Sequence, residues 1–115
     1  MSKRDWKLLY EDILESIDKI EKYTKGISYD DFLSNYLIID GVVRNIEIIG
    51  EASKNIPIEI QSTFSDIPWK KLKGIRNRIV HEYFQVDVSI IWFIVKNELA
   101  PLKVVLTKHL RDSKE

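Results

Sequence analysis

The sequence predicts an all-α protein, an up-down helical bundle of four main helices with one short connecting helix. Three observations favour this class. Apolar residues recur at helical spacing. The apolar stretches are separated by capping residues, glycine or proline, and the connections between them are short. With 115 residues, of which 44% are hydrophobic, the chain can bury one core. We therefore expect a single domain that spans residues 1–115.

The first helix is predicted over residues 5–24. Its apolar side chains recur every three or four positions and form one face, while charged residues occupy the other; the apolar set is Trp6, Leu9, Ile13, Ile17 and Ile20. Gly26 follows at a position suited to helix termination. The charged face is expected to be solvated.

The second helix is predicted as one continuous element from the N-cap Ser28 to about Ser53. Apolar residues cover more than half of its circumference, so it should lie centrally in the bundle. Gly41 and Gly50 each cost about 1 kcal/mol relative to alanine inside a helix. We expect that another backbone approaches this helix closely at the glycines.

Three charged residues, Arg44, Glu47 and Glu51, interrupt the apolar surface of the second helix. They are either ordinary surface charges or supports for an active face on a neighbouring helix. The sequence leaves both interpretations open.

The chain then breaks at Asn55-Ile56-Pro57. Residues 57–64 are predicted to form a short helical turn, and residues 62–66 a loop. The next helix is predicted from Pro68 to about Tyr83, because proline suits a first helical turn and Asp66 lies near its positive end.

The last helix is predicted to begin after Asp87, which supplies the cap. Residues 88–95 have high strand propensity, yet apolar residues continue at helical spacing as far as Leu110, which favours a helix. Pro101 lies within this helix and should kink it, since the missing backbone N–H costs about 3 kcal/mol if uncompensated. His109, near the end, is expected at the surface.

Composition excludes several classes of function. The chain carries eighteen basic and eighteen acidic residues, so any affinity for nucleic acid must come from a local patch. It has no cysteine, which excludes disulfides, thiolate nucleophiles and cysteine zinc sites, and its two histidines lie far apart. We expect no metal and no cofactor. No long apolar segment or signal core is present, so a cytoplasmic location is expected.

One segment, residues 68–83, concentrates positive charge, with no acidic residue between Asp66 and Glu82. It contains five basic residues, namely Lys70, Lys71, Lys73, Arg76 and Arg78. Bases on a helix are usually solvated, but here Lys70, Lys71, Lys73 and Arg78 could guide an RNA backbone.

The same segment carries groups suited to RNA cleavage. His81 has an unperturbed pKa near neutrality and could transfer protons, and the Arg76 guanidinium could hold a phosphate and stabilise its developing charge. Asn77 could fix the imidazole ring or bind an RNA oxygen. This set suits metal-independent cleavage in which the 2′-hydroxyl attacks the adjacent phosphate, although a lone histidine in a basic helix is more often a surface residue.

Helix geometry complicates that site. On one continuous helix Asn77 and His81 share a face, as do Arg78 and Glu82. Arg76 and His81, however, are about 140° apart around the axis. A distorted helix end, the long arginine side chain or a second copy of the chain must bring the groups together.

The sequence Arg76-Asn77-Arg78-Ile79-Val80-His81-Glu82-Tyr83 resembles the Arg-(four residues)-His-x-Tyr signature of HEPN-domain toxins of the HepT type. Further segments resemble that family in the same order: Ile48 to Ala52, Pro68-Trp69, Phe84 to Asp87, and the proline-containing region from Trp92 to Leu102. The resemblance covers nearly the whole chain.

The resemblance implies an all-α endoribonuclease that needs no metal and acts as the toxin of a toxin–antitoxin pair. Two protomers would form a homodimer with a composite active site, in which Arg76, His81 and Asn77 are catalytic. The antitoxin would be a minimal nucleotidyltransferase that transfers AMP to Tyr83. The added phosphate would repel RNA phosphates from the basic patch.

A second interpretation is a non-catalytic helical module that docks a nucleotidyltransferase or binds nucleotide or RNA, since a shared fold does not guarantee activity. The zero net charge favours this module slightly. The presence of Arg76, Asn77 and His81 favours the enzyme.

Overall fold

The computed structural model describes residues 5–80 and 85–113. The regular structure of these residues consists of eight helices and one isolated antiparallel bridge between Val80 and Val86. The helices are α1 (Trp6–Thr24), α2 (Tyr29–Leu33), α3 (Tyr36–Asn55), α4 (Ile58–Thr63), α5 (Trp69–Lys73), α6 (Ile75–Ile79), α7 (Val88–Asn97) and α8 (Leu99–Asp112). The all-α class is confirmed. None of the helices in this part of the chain has the length and apolar character required to cross a membrane.

The core lies between α1 and α3, which pack along each other, with α8 on α1 and the α5–α6 pair on α3. α1 occupies the predicted range, and the Asp5 carboxylate caps it by accepting a hydrogen bond from the Lys7 N–H. Gly26 has φ of 74°, a left-handed conformation that glycine adopts without strain, as predicted for the residue that ends this helix.

The predicted second helix is two helices, so the prediction of one continuous element is wrong. Ser28 does cap α2, but Asn35 is extended, and its side chain accepts a hydrogen bond from the Ile38 N–H to start α3. The Ser34 hydroxyl donates to the carbonyls of Asp30 and Asp31. Short polar side chains thus take backbone groups that a continuous helix would use.

The two glycines of α3 differ in what lies against them. A Cβ on Gly50 would lie 3.0 Å from Ile75 Cγ2 and 3.4 Å from the Leu72 carbonyl oxygen. The predicted close approach of a backbone is therefore confirmed at Gly50, where the α5–α6 pair packs on α3. At Gly41 the neighbour is the Tyr23 ring instead, with Cε2 3.0 Å from that Cβ position.

The predicted helix from Pro68 to Tyr83 is also divided and shorter. Gly74 separates α5 from α6, and α6 ends at Ile79 because Val80 turns extended and bridges to Val86. The Asp87 N–H then donates to the Ile79 carbonyl, at 2.6 Å. His81 and Glu82 lie outside the described residues, so the predicted pairs Asn77–His81 and Arg78–Glu82 stay predictions.

The last helix begins as predicted, with the Asp87 carboxylate accepting from the N–H groups of Ser89 and Ile90. It is broken rather than kinked: Glu98, with φ of −110°, separates α7 from α8. The break lies one turn before Pro101, which has no N–H to donate to the carbonyl four residues earlier. The disturbance predicted at this proline is confirmed.

The prediction that His109 is a surface residue is wrong. Its ring is only 7% exposed and stacks on Phe64, with ring centroids 3.9 Å apart. Nδ1 lies 3.1 Å from the Tyr10 hydroxyl, and Nε2 lies 3.1 Å from Asp66 Oδ2. Burial, and secondarily the Asp66 charge, raises the pKa of Tyr10 well above its usual value. His109 thus joins α1, α8 and the segment before α5.

Candidate active-site groove

A groove of about 440 Å³ runs between α3 and the α5–α6 pair. Four basic and two acidic side chains line it together with Ile48 and Gly50; the charged residues are Arg44, Glu47, Glu51, Lys54, Lys73 and Arg76. The excess of positive charge suits a polyanionic ligand. The three charges of α3 that the sequence left undecided, Arg44, Glu47 and Glu51, therefore lie beside the α6 arginine.

The short helix α6 presents its polar residues because its apolar residues anchor it. Ile75 and Ile79 are four residues apart, lie on one face, and are 1% and 0% exposed. Arg76 and Asn77 consequently lie on the solvent side, where both are exposed. The Arg76 side chain reaches the groove, and the predicted pair of Arg76 and Asn77 is accessible to a ligand.

Glu47 of α3 holds Arg76 from across the groove. Arg76 Nε donates to Glu47 Oε2 at 3.1 Å, and the two side chains are 54% and 44% exposed. The contact uses only Nε, and the terminal guanidinium nitrogens donate to no other described side chain. Those two nitrogens have the planar geometry that grips two phosphate oxygens.

Arg78, two residues further on, is directed to the opposite side of α6. Its terminal nitrogens donate to both Glu98 carboxylate oxygens at 2.8 and 2.6 Å, with the side chains 26% and 25% exposed. The hydrogen bond from Arg78 holds the pKa of Glu98 below its usual range and raises that of Arg78. Contact of Arg78 with an RNA backbone stays a prediction, and the structure places this residue away from the groove.

The three lysines of the basic segment are also separated. Lys73 lines the groove and donates from Nζ to Gln61 Oε1 at 3.2 Å. Lys71 lines a different cleft, between α5–α6 and the α7–α8 junction, and Lys70 is exposed. Among the four predicted RNA-backbone residues, the structure places Lys73 beside Arg76. His81 and Tyr83 lie outside the described residues.

Two acidic residues of this region were not predicted to have a role. The sequence analysis left open whether Glu47 is a surface charge or supports an active face. Its position on the polar stripe of α3, with Arg44 and Glu51, was a signal for the supporting role. Glu98 carried no local signal, since its partner Arg78 is distant in sequence.

Comparison with known proteins identifies close relatives of this chain. The model of the family described as "Ribonuclease HepT-like" matches residues 13–109. A Methanocaldococcus jannaschii protein with a provisional RNase name is 43% identical over 103 residues, which are 90% of this chain and 94% of that protein. A Thermococcus cleftensis protein named "Probable ribonuclease HepT" is 43% identical over 88% of this chain and 92% of its own length. No solved structure matches the chain significantly.

Proposed function

We infer that this chain, which belongs to the HepT-like ribonuclease family, is an endoribonuclease that cleaves RNA without a metal ion at the α3–α6 groove. The observation that carries this proposal is the exposed Arg76 guanidinium, held on one edge by Glu47 and flanked by Lys73. A guanidinium with two nitrogens that no described side chain occupies, in a positively charged groove, suits a phosphodiester.

The proposed chemistry needs only groups of this chain and of its RNA substrate. His81 removes the proton of a 2′-hydroxyl, the 2′-oxygen bonds to the adjacent phosphorus, and the bond from phosphorus to the 5′-oxygen breaks. The leaving 5′-oxygen takes up a proton, which gives a 2′,3′-cyclic phosphate and a 5′-hydroxyl. Arg76 stabilises the charge that develops on the phosphate oxygens, and Asn77 orients the imidazole or an RNA oxygen.

We further propose that the protein is the toxin of a toxin–antitoxin pair and acts as a homodimer in the cytoplasm. The support is the resemblance of the segment from Arg76 to Tyr83 to the HepT signature. A nucleotidyltransferase antitoxin would transfer AMP to Tyr83. The phosphate so introduced would occupy the region of positive charge that RNA needs.

The test is incubation of the purified, unmodified protein with total RNA in EDTA, beside the His81→Ala variant. We expect the wild-type protein to produce fragments with cyclic phosphate ends, and the variant to lose about 100-fold or more of this activity because it lacks the proton acceptor. Mass spectrometry must show that Tyr83 is unmodified in both samples.

Two results would contradict the proposal. Equal cleavage by the variant would remove His81 from the mechanism. Absence of cleavage by both proteins, with Tyr83 unmodified, would favour the non-catalytic module that docks a nucleotidyltransferase or binds nucleotide or RNA.

A further inference from the structure

Lys73 is held in the α3–α6 groove by a neutral side chain. Its Nζ donates to Gln61 Oε1 at 3.2 Å, and it forms no ion pair with a residue that the structure describes. By contrast, Arg78 and Lys103 are held by carboxylates. A carboxylate offsets the charge of the cation that it binds, whereas an amide oxygen leaves that charge in place. Lys73 therefore brings an uncompensated positive charge to the groove.

Gln61 of α4 is itself fixed, so it can orient that lysine. Its side chain is buried, and Nε2 donates to the carbonyl of Ile56, just past the end of α3, at 2.9 Å. A carbonyl can only accept and an ammonium can only donate, so one orientation of the amide satisfies both contacts. Gln61 thus connects the end of α3 to α5. It takes one of the three ammonium protons of Lys73, and no described side chain takes the other two.

Lys73 and Arg76 line the same groove from either side of Gly74, which separates α5 from α6. They are tethered to different elements, Lys73 to Gln61 of α4 and Arg76 to Glu47 of α3. The two cations are therefore held apart and do not converge on one ligand atom. An RNA strand carries one phosphate per nucleotide, so a strand whose scissile phosphate is bound to Arg76 offers Lys73 a neighbouring phosphate.

We infer that Lys73, oriented by Gln61, binds the RNA phosphate next to the scissile one. This inference rests on the proposed function, in which Arg76 holds the scissile phosphate. Lys73 is then a binding residue, and Gln61 is a positioning residue that acts through it. The preferred substrates are RNA strands that carry a second phosphate beside the cleaved bond.

Short substrates isolate this contact. A dinucleoside monophosphate has only the scissile phosphate, and two further substrates add a phosphate at its 5′ end or at its 3′ end. For one of these two, the wild-type protein should show a kcat/KM about tenfold or more above that of the unphosphorylated substrate. Lys73→Met should remove this advantage, so that the three substrates react equally. The control Lys108→Met removes a positive charge that is exposed on α8, away from the groove, and should keep the advantage.

The same substrates test the role of Gln61. Gln61→Met should reduce the advantage by about three- to tenfold, because the untethered lysine regains its rotamer freedom. Combined with Lys73→Met it should cause no further change in the advantage, since both residues serve one contact. Thermal unfolding shows that each variant is folded. An equal loss of rate on all three substrates would mean that Gln61 is only structural, and would overturn its positioning role.

Binding of an RNA that cannot be cleaved gives an independent measurement. A fluorescent 2′-O-methyl RNA oligomer lacks the attacking hydroxyl, and its dissociation constant is measured by anisotropy over a range of salt concentrations. Loss of one phosphate contact should reduce the slope of log Kd against log salt concentration by about 0.7 in Lys73→Met. Lys108→Met should keep the wild-type slope.

The two measurements separate this inference from the proposed function. Equal cleavage of the three short substrates by the wild-type protein, with the same salt slope in Lys73→Met, overturns the inference and leaves the ribonuclease intact. A reduced slope without a difference among the substrates assigns Lys73 to a more distant phosphate and also overturns the inference. A reduced slope in a protein that cleaves no RNA supports the phosphate contact and contradicts the proposed activity. A wild-type protein that neither binds nor cleaves RNA overturns both.

Discussion

Two arginines of the five-residue helix α6 have opposite surroundings. Within the described residues the Arg76 side chain donates one hydrogen bond, through Nε, to the half-exposed Glu47. The Arg78 side chain donates two, through its terminal nitrogens, to Glu98, and both side chains are about three-quarters buried. In sequence both belong to the same basic segment, and what distinguishes them is the resemblance, in which Arg76 is the signature arginine.

The difference shows that neighbouring basic residues of one segment can have different roles, one in stabilising the fold and the other in binding a ligand. A buried arginine with a two-pronged contact to a carboxylate has its guanidinium occupied and joins α6 to the α7–α8 junction. An exposed arginine held by Nε alone keeps its orientation and leaves two nitrogens for a ligand. We therefore expect Arg78 to stabilise the fold and Arg76 to act on the substrate.

The largest expected effect is on catalysis. Arg76→Ala should lower the rate of RNA cleavage by about 100- to 1,000-fold, since it removes the group that stabilises charge on the phosphate. Its thermal stability should change little, because the ion pair with Glu47 is exposed. Single-turnover cleavage and thermal unfolding of the same preparation measure both. A variant that loses stability as well as activity would mean that Arg76 is structural.

An intermediate effect is expected on stability. Arg78→Ala leaves the Glu98 carboxylate three-quarters buried without its partner, which should lower the free energy of unfolding by about 1–3 kcal/mol. Urea unfolding of this variant beside Arg76→Ala tests the comparison. Equal stability of the two variants would contradict the assignment of different roles.

The smallest expected effect is on the pH dependence of the free energy of unfolding. The Arg78 hydrogen bond lowers the pKa of Glu98 in the folded state, so the unfolded chain binds the proton more readily. The stabilisation is complete above the pKa of Glu98 in the unfolded chain, about 4.3. It is lost as the pH falls through the pKa of Glu98 in the folded protein. Glu98→Gln should therefore lose less stability than the wild type between about pH 5 and pH 3. Unfolding curves of the two proteins that shift in parallel with pH would contradict this linkage.

Local sequence predicted the features that depend on neighbouring residues. Gly26, Ser28 and Asp87 were identified as residues at helix ends, and each acts within three residues along the chain. The Asn35 cap that begins α3 was also a local signal, but the apolar periodicity around it concealed the break. The disturbance near Pro101 followed from the missing N–H.

Contacts between residues that are far apart in the sequence could not be predicted from it. His109 was misplaced although it continues the apolar row of Leu102 and Leu106, and its partners Tyr10 and Asp66 belong to elements far away in sequence. An imidazole becomes a core residue only when such partners satisfy both ring nitrogens. Similarly, only the packing of α6 between α3 and α7 separates the two arginines.

The sequence by itself determined the helical class, several helix ends and the family signature from Arg76 to Tyr83, because hydrophobic period, caps and motif depend on residues a few positions apart. The tertiary structure alone decided that Arg76 faces the groove with Glu47 and Lys73, while Arg78 is bound to Glu98. Side chains of one short helix acquire their partners from whichever elements pack on each of its faces, and that packing is set by the whole core.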